Sequence, residues 1–159
     1  MRMTETIRAV MFVLDERRYA LPLADVERIV RAVDVVPLPG SPHLVLGIID
    51  VSGHVLPVIS LRRRFSLADR EIDVADQFLI AATAARPVAL VIDEAAGVIE
   101  CEPDAVAAPA SIGPGMEAFQ GAVRLKDGLV LIHDLTKLLT LDESRELEAA
   151  LGSHGEARR

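Results

Sequence analysis

Apolar and polar positions alternate in short runs along most of this chain, and turn-forming residues close each run. Ile7 to Leu14 reads as a strand, Asp15-Glu-Arg-Arg18 as a turn and Tyr19 to Leu23 as a second strand. Val26, Ile29 and Val30 have helical spacing. Their counterparts later in the chain include Gly97, a poor residue for a helix interior. The expectation is therefore one helical turn over 23–26 and a strand from about Arg28. Val36-Pro-Leu-Pro-Gly-Ser-Pro42 reads as an ordered surface loop, because proline fixes φ and donates no hydrogen bond. Leu46 to Val51 and Val55 to Ile59 form a hairpin around Ser52-Gly53, and Ser60 starts a short helix ending near Leu67. A polar link, 68–76, precedes a hairpin over 77–83 and 87–92, then a strand over 97–102. The stretch 103–116 is a long connection rich in Ala, Pro and Gly. Strands 121–125 and 129–133 pair around Lys126-Asp-Gly128, and Asp134 caps a short helix. Thr140-Leu-Asp-Glu143 is a capping box for a last helix to Gly152, and 153–159 is a frayed tail.

The pattern repeats. Gly47-Ile-Ile-Asp-Val-Ser-Gly-His-Val-Leu-Pro-Val-Ile-Ser-Leu61 aligns without a gap on Gly121-Ala-Val-Arg-Leu-Lys-Asp-Gly-Leu-Val-Leu-Ile-His-Asp-Leu135, 74 residues on. Glycine, strand, turn, strand and helix cap recur in one register. A second echo, at an offset of 69, matches Ala20-Leu-Pro-Leu23 to Ala89-Leu-Val-Ile92 and Ile29-Val30 to Val98-Ile99. Two similar β units, about 7–70 and 71–140, are expected. Each alone is too small to bury enough apolar surface, so the halves should share a core.

Composition narrows the function classes. Of the 159 residues 51% are hydrophobic but only 3% aromatic, so the core must be aliphatic. A net charge of −7 argues against nucleic acid as a partner. Arg62-Arg63-Arg64, between Leu61 and Phe65, reads as the solvated face of one helical turn. The single cysteine, Cys101, fits a reducing compartment and has no base beside it in sequence. No apolar run is long enough to span a bilayer and the N-terminus lacks the apolar core of a signal peptide, so a cytoplasmic protein without membrane insertion is expected. His43, His54, His133 and His154 lack metal-ligand spacing, Glu100 and Glu102 read as solvated charge, and the glycines do not form a phosphate-cradling string. No metal, cofactor or catalytic centre is expected. The competing reading is a small-molecule-binding or hydrolytic β-barrel using His54 or His133 with nearby carboxylates.

The run from Gly47 to Arg62 resembles the signature of CheW-type chemotaxis coupling proteins, in which Gly-Val-X-Asn-Leu-Arg-Gly-X-X-X-Pro-Val-X-Asp-Leu-Arg recurs. Phe12-Val-Leu14, the stretch from Tyr19 to Val26, Val36-Pro-Leu-Pro-Gly40 and the stretch from Val91 to Val98 follow in the family's order, so the resemblance covers roughly 7–140. It implies a mainly β fold, two SH3-like five-stranded barrels around a shared hydrophobic core, followed here by the C-terminal helix. It also implies a non-enzymatic adaptor that meets the cytoplasmic tip of a methyl-accepting chemoreceptor and the regulatory domain of a CheA-type histidine kinase. The partner surface it suggests comprises Val26, Arg28, Ile29, Ile48, Asp50, Ser52, Gly53 and His54. Ser52 stands where the family has Arg, and Arg28 where it has Glu. Either the family's ion pair is lost or Arg28 and Asp50 form it in reversed polarity; the reversed pair is the expectation carried forward.

Overall fold

The computed structural model describes residues 6–157. Its strands are β1 (Ile7–Leu14), β2 (Arg17–Pro22), β3 (Val26–Arg31), β4 (Val45–Val51), β5 (His54–Ser60), β6 (Gln77–Ala82), β7 (Pro87–Ile92), β8 (Glu94–Cys101), β9 (Val106–Ala107), β10 (Phe119–Leu125) and β11 (Gly128–His133). Three α-helices join them: α1 (Leu61–Arg64), α2 (Pro109–Ile112) and α3 (Leu141–Ala157). The expected turn before β3 is a 3-10 helix over Leu23–Asp25. Strand β9 lies inside the segment expected to be only a connection.

Two sheets result, ordered β8-β1-β2-β11-β10-β9 and β3-β6-β7-β5-β4. The second sheet takes strands from both sides of residue 70, so the sheets do not divide the chain where the repeat suggested. The reason is an exchange of hairpins. β1 and β2 precede the first Gly-led hairpin, yet they pair with β8 and β11 of the second copy. β6 and β7 of the second copy pair in turn with β3 and β5 of the first. Ala20 lies opposite Ile132, and Ala89 opposite Val58. The offsets of 69 and 74 carry one pair onto the other. Each barrel thus needs strands from both halves of the sequence.

Each sheet closes through one run of chain. β3 and β4 are the outermost strands of their sheet, and just beyond β3 the Val36 amide donates to Ile48 O at 2.9 Å while Ile48 N donates to Val36 O at 2.8 Å. Likewise β8 runs through a 3-10 turn into β9, which pairs with β10. The repeated glycines stand at these crossings, each at a β-bulge. A Cβ on Gly47 would lie 2.2 Å from Val36 O, and one on Gly121 would lie 2.4 Å from Ala107 O. Glycine is required because another backbone occupies the side-chain position.

Three apolar clusters follow from strand alternation. Ile49, Leu56, Val58, Phe78, Ile80 and Ala89 fill one barrel. Ala9, Ala20, Val123, Val130 and Ile132 fill the other. The opposite strand faces meet in the largest cluster, where Phe12, Leu14, Tyr19 and Leu21 face Leu79, Val88, Leu90 and Ile92, with Leu147 and Ala150 of α3 closing one side. Strands apolar on both faces make this shared core, as the expectation of joined halves required.

The arginine run departs from expectation. Residues one apart on a helical turn point about 100° apart, so the three side chains reach three different segments. Arg62 pairs with Asp93 at 3.0 Å, Arg63 with Asp69 at 2.9 Å, and Arg64 with Glu143 of α3. The Arg63–Asp69 pair ties the polar link 68–76 to the first half, and Arg70, which also bridges Asp76 within the link at 2.8 Å, ties it to Asp93 of the second half at 2.9 Å. Gly152 does not end α3: the helix continues to Ala157, and Gly152 lacks the positive φ of a stop. Residues 158–159 of the expected tail lie outside the described residues. No helix among the described residues is long and apolar enough to cross a membrane.

Candidate functional site

The residues singled out in the sequence gather at one end of the β3–β7 barrel, at the β4–β5 hairpin and the neighbouring β3. A two-residue turn with both φ positive, Ser52 at 53° and Gly53 at 85°, joins Val51 to His54. Such turns match the twist of paired strands, and glycine adopts the second position at little cost. The Asp50 carboxylate accepts the Gly53 amide at 2.9 Å, which braces the turn. The Arg28 guanidinium reaches across from β3 to Ser52 Oγ at 3.4 Å.

The expected ion pair between Arg28 and Asp50 does not form. Asp50 points along its own turn toward the Gly53 amide, a hydrogen bond its short side chain makes locally, while Arg28 reaches the hydroxyl one step further along. A long contact between exposed groups shapes a surface and adds little stability. Nor does Gly53 guard a crowded spot, since a Cβ there would meet nothing within 4 Å and only its φ disfavours other residues.

Val26, Ile29 and Ile48 are half-buried and pack against the shared core. They are where that core reaches the surface. Two exposed valines missed in the sequence adjoin them: Val36, 60% exposed and bonded to Ile48, and Val55, 41% exposed and opposite Asp50 in the ladder. Val36 was hidden because it reads as the start of a proline loop. Its place beside β4 depends on barrel closure, which local pattern does not encode. Val55 carried a legible signal, since it is the first apolar residue after the turn. His54 is exposed and pairs with Val51.

The hydrolytic alternative has no supporting geometry. His54 sits at an open hairpin tip, while His133 is fully buried between Phe65 and Phe119. His133 Nδ1 lies 2.8 Å from Ala118 O, which makes it the donor, and Nε2 has no partner. Burial depresses its pKa to about 4, so the ring is neutral near pH 7. Neither histidine lines any of three clefts of about 530 to 730 Å³ on the surface. Burial raises the pKa of the Cys101 thiol, and the Glu102 charge adds to that, so the thiol is no activated nucleophile. Glu100 is salt-bridged to Arg8 at 3.2 Å on the surface. Among the described residues no group of three or more His, Cys, Asp or Glu side chains could hold a metal ion.

Comparison with known proteins finds relatives in sequence and in fold. Residues 8–143 match the model of the CheW-like domain. The chain is 30% identical over 149 residues to the chemotaxis protein CheW of Treponema pallidum, covering 90% of this chain and 88% of that protein. It is 26% identical over 140 residues to the chemotaxis protein CheW of Bacillus subtilis, covering 87% and 90% of the two chains. The crystal structure of the scaffolding protein TtCheW from Thermoanaerobacter tengcongensis superposes with a TM-score of 0.78 at 26% identity, covering 89% of this chain and 96% of that one.

Proposed function

The chain belongs to the CheW-like domain family, a family of non-enzymatic chemotaxis scaffolds, and from that premise we propose that it couples methyl-accepting chemoreceptors to a CheA-type histidine kinase in the cytoplasm. The surface assigned to this coupling is Val26, Ile29 and Ile48 with Arg28, Asp50, Ser52, Gly53 and His54, extended by Val36 and Val55. One observation carries the assignment: the shared core emerges here as half-buried aliphatic side chains beside a braced, projecting turn. Apolar side chains at such a border dock against a helical or β partner without repacking the interior, and the surrounding charges select among partners.

The Arg28–Ser52 contact replaces the charged pair expected from the family pattern. A neutral hydroxyl leaves Arg28 with a net positive charge to offer, so the matching partner surface carries an acidic group there. Capture of partners from a native cell extract tests this. Wild-type protein is expected to recover a histidine kinase and a chemoreceptor. Folded Ile29→Asp and Gly53→Arg variants should recover less of one or both. Equal recovery by all three proteins places the surface elsewhere, and recovery of neither partner by the wild type overturns the proposal.

A further inference from the structure

A cleft of about 530 Å³ lies between α3, the β6–β7 turn and the segment following β11. Its walls are largely aliphatic, formed by Val88, Leu135, Leu138 and Leu147. This volume is in the range of small-molecule sites. The partner surface proposed above plays no part in its lining.

The polar groups in this cleft are unequal in what they have left to offer. Arg86 and Glu148 at its rim satisfy each other. Asp134 accepts both the Thr136 amide, at 3.0 Å, and the Thr136 hydroxyl, at 2.6 Å. Asp25, in the 3-10 turn before β3, has no hydrogen-bond donor among the described residues. Burial raises its pKa, and the Asp134 charge raises it further. Three carboxylates and one guanidinium line the cleft, so its field is negative. An unpartnered carboxylate beside an aliphatic wall suits a ligand with a positive end and a short apolar body.

We propose that this cleft is a binding site for a small aliphatic cation, an ammonium or guanidinium on a short alkyl chain. The cationic head meets Asp25, with Asp134 reinforcing the field, and the alkyl chain lies along Leu135, Leu138 and Leu147. Removing the cation from water is offset by the charge-assisted contact with Asp25 and by covering the aliphatic wall.

The probe is n-butylammonium, titrated into the full-length protein and followed by amide chemical shifts, with 1-butanol and butyrate as isosteric neutral and anionic controls. Saturable shifts confined to Asp25 and its neighbours and to residues 82–88, 134–139 and 144–148 are expected for the cation, with weaker binding of the alcohol and none of butyrate. Asp25→Asn should weaken the cation about tenfold or more without altering the thermal midpoint, while leaving the alcohol unchanged. Ala85→Trp, at the cleft lining, should lower affinity for cation and alcohol together. The proposal is overturned if the cation gives no saturable shifts, if alcohol or butyrate binds as well as the cation, or if Asp25→Asn binds it as well as wild type.

Discussion

His133 makes the stability of this protein sensitive to acid. Its folded pKa of about 4 lies below the ordinary value of 6.5. Between those values the unfolded chain holds the proton and the folded one does not. Stability is therefore unaffected by His133 above pH 6.5 and falls as pH drops from 6.5 toward 4, by about 3 kcal/mol across that window. Urea unfolding from pH 7 to 4 should show this slope, and His133→Phe should flatten it. An unchanged slope in the variant would assign acid sensitivity to other groups. The glycines give a second contrast at this scale. Gly47→Ala drives a Cβ into Val36 O and should cost about 3 kcal/mol or more. Gly53→Ala meets open space and should cost only about 1 kcal/mol, through its φ of 85°. Denaturation midpoints rank the two, and equal costs would refute the crossing-strand account.

Helix α3 is held at its start and along one face. Thr140 N donates to Glu143 at 2.8 Å while Glu143 N donates to Thr140 Oγ1 at 3.1 Å, the reciprocal box read from the sequence. Thr140→Ala should cost about 1 kcal/mol and speed amide exchange in the first turn. Leu147, only 3% exposed, lies against the shared core, so Leu147→Ala should cost about 3 kcal/mol. Exchange that rises throughout the protein in both variants alike would mean that the cap and the packed face are not separable. The helix was legible because its box and the Leu147–Leu151 spacing are local. That it continues beyond Gly152 was not, since a glycine near a helix end stops it only when the chain turns left-handed there.

The exchanged hairpins make the whole molecule a single folding unit. Fragments cut at residue 70 each lack strands that their barrel needs, so neither 1–70 nor 71–159 should fold alone. Mixing the two should restore the β-rich circular dichroism that each lacks. The intact chain should unfold in one transition, with calorimetric and van't Hoff enthalpies equal. A stable isolated half would contradict the topology. Val26, Ile29 and Ile48 of the proposed surface all pack against the shared core, although they come from two strands at opposite ends of the sheet order.

All the strands but β9, their turns, the internal repeat and the family were legible along the chain, because each rests on spacing within a few residues or on the order of motifs. The glycines at 47 and 121 were visible as repeated positions. Their reason was not, because the atoms that exclude a side chain come from Val36 and Ala107, brought in by barrel closure. Which hairpin completes which barrel was settled by folding. The two copies have equivalent edges, so pairing within a copy and pairing across copies satisfy the same local pattern. The same limit hid β9, a two-residue strand with too little sequence to alternate, and sent Arg28 to Ser52 rather than to Asp50. A choice among chemically similar partners is made by the distances that packing leaves between them, and those distances exist only once the chain has folded.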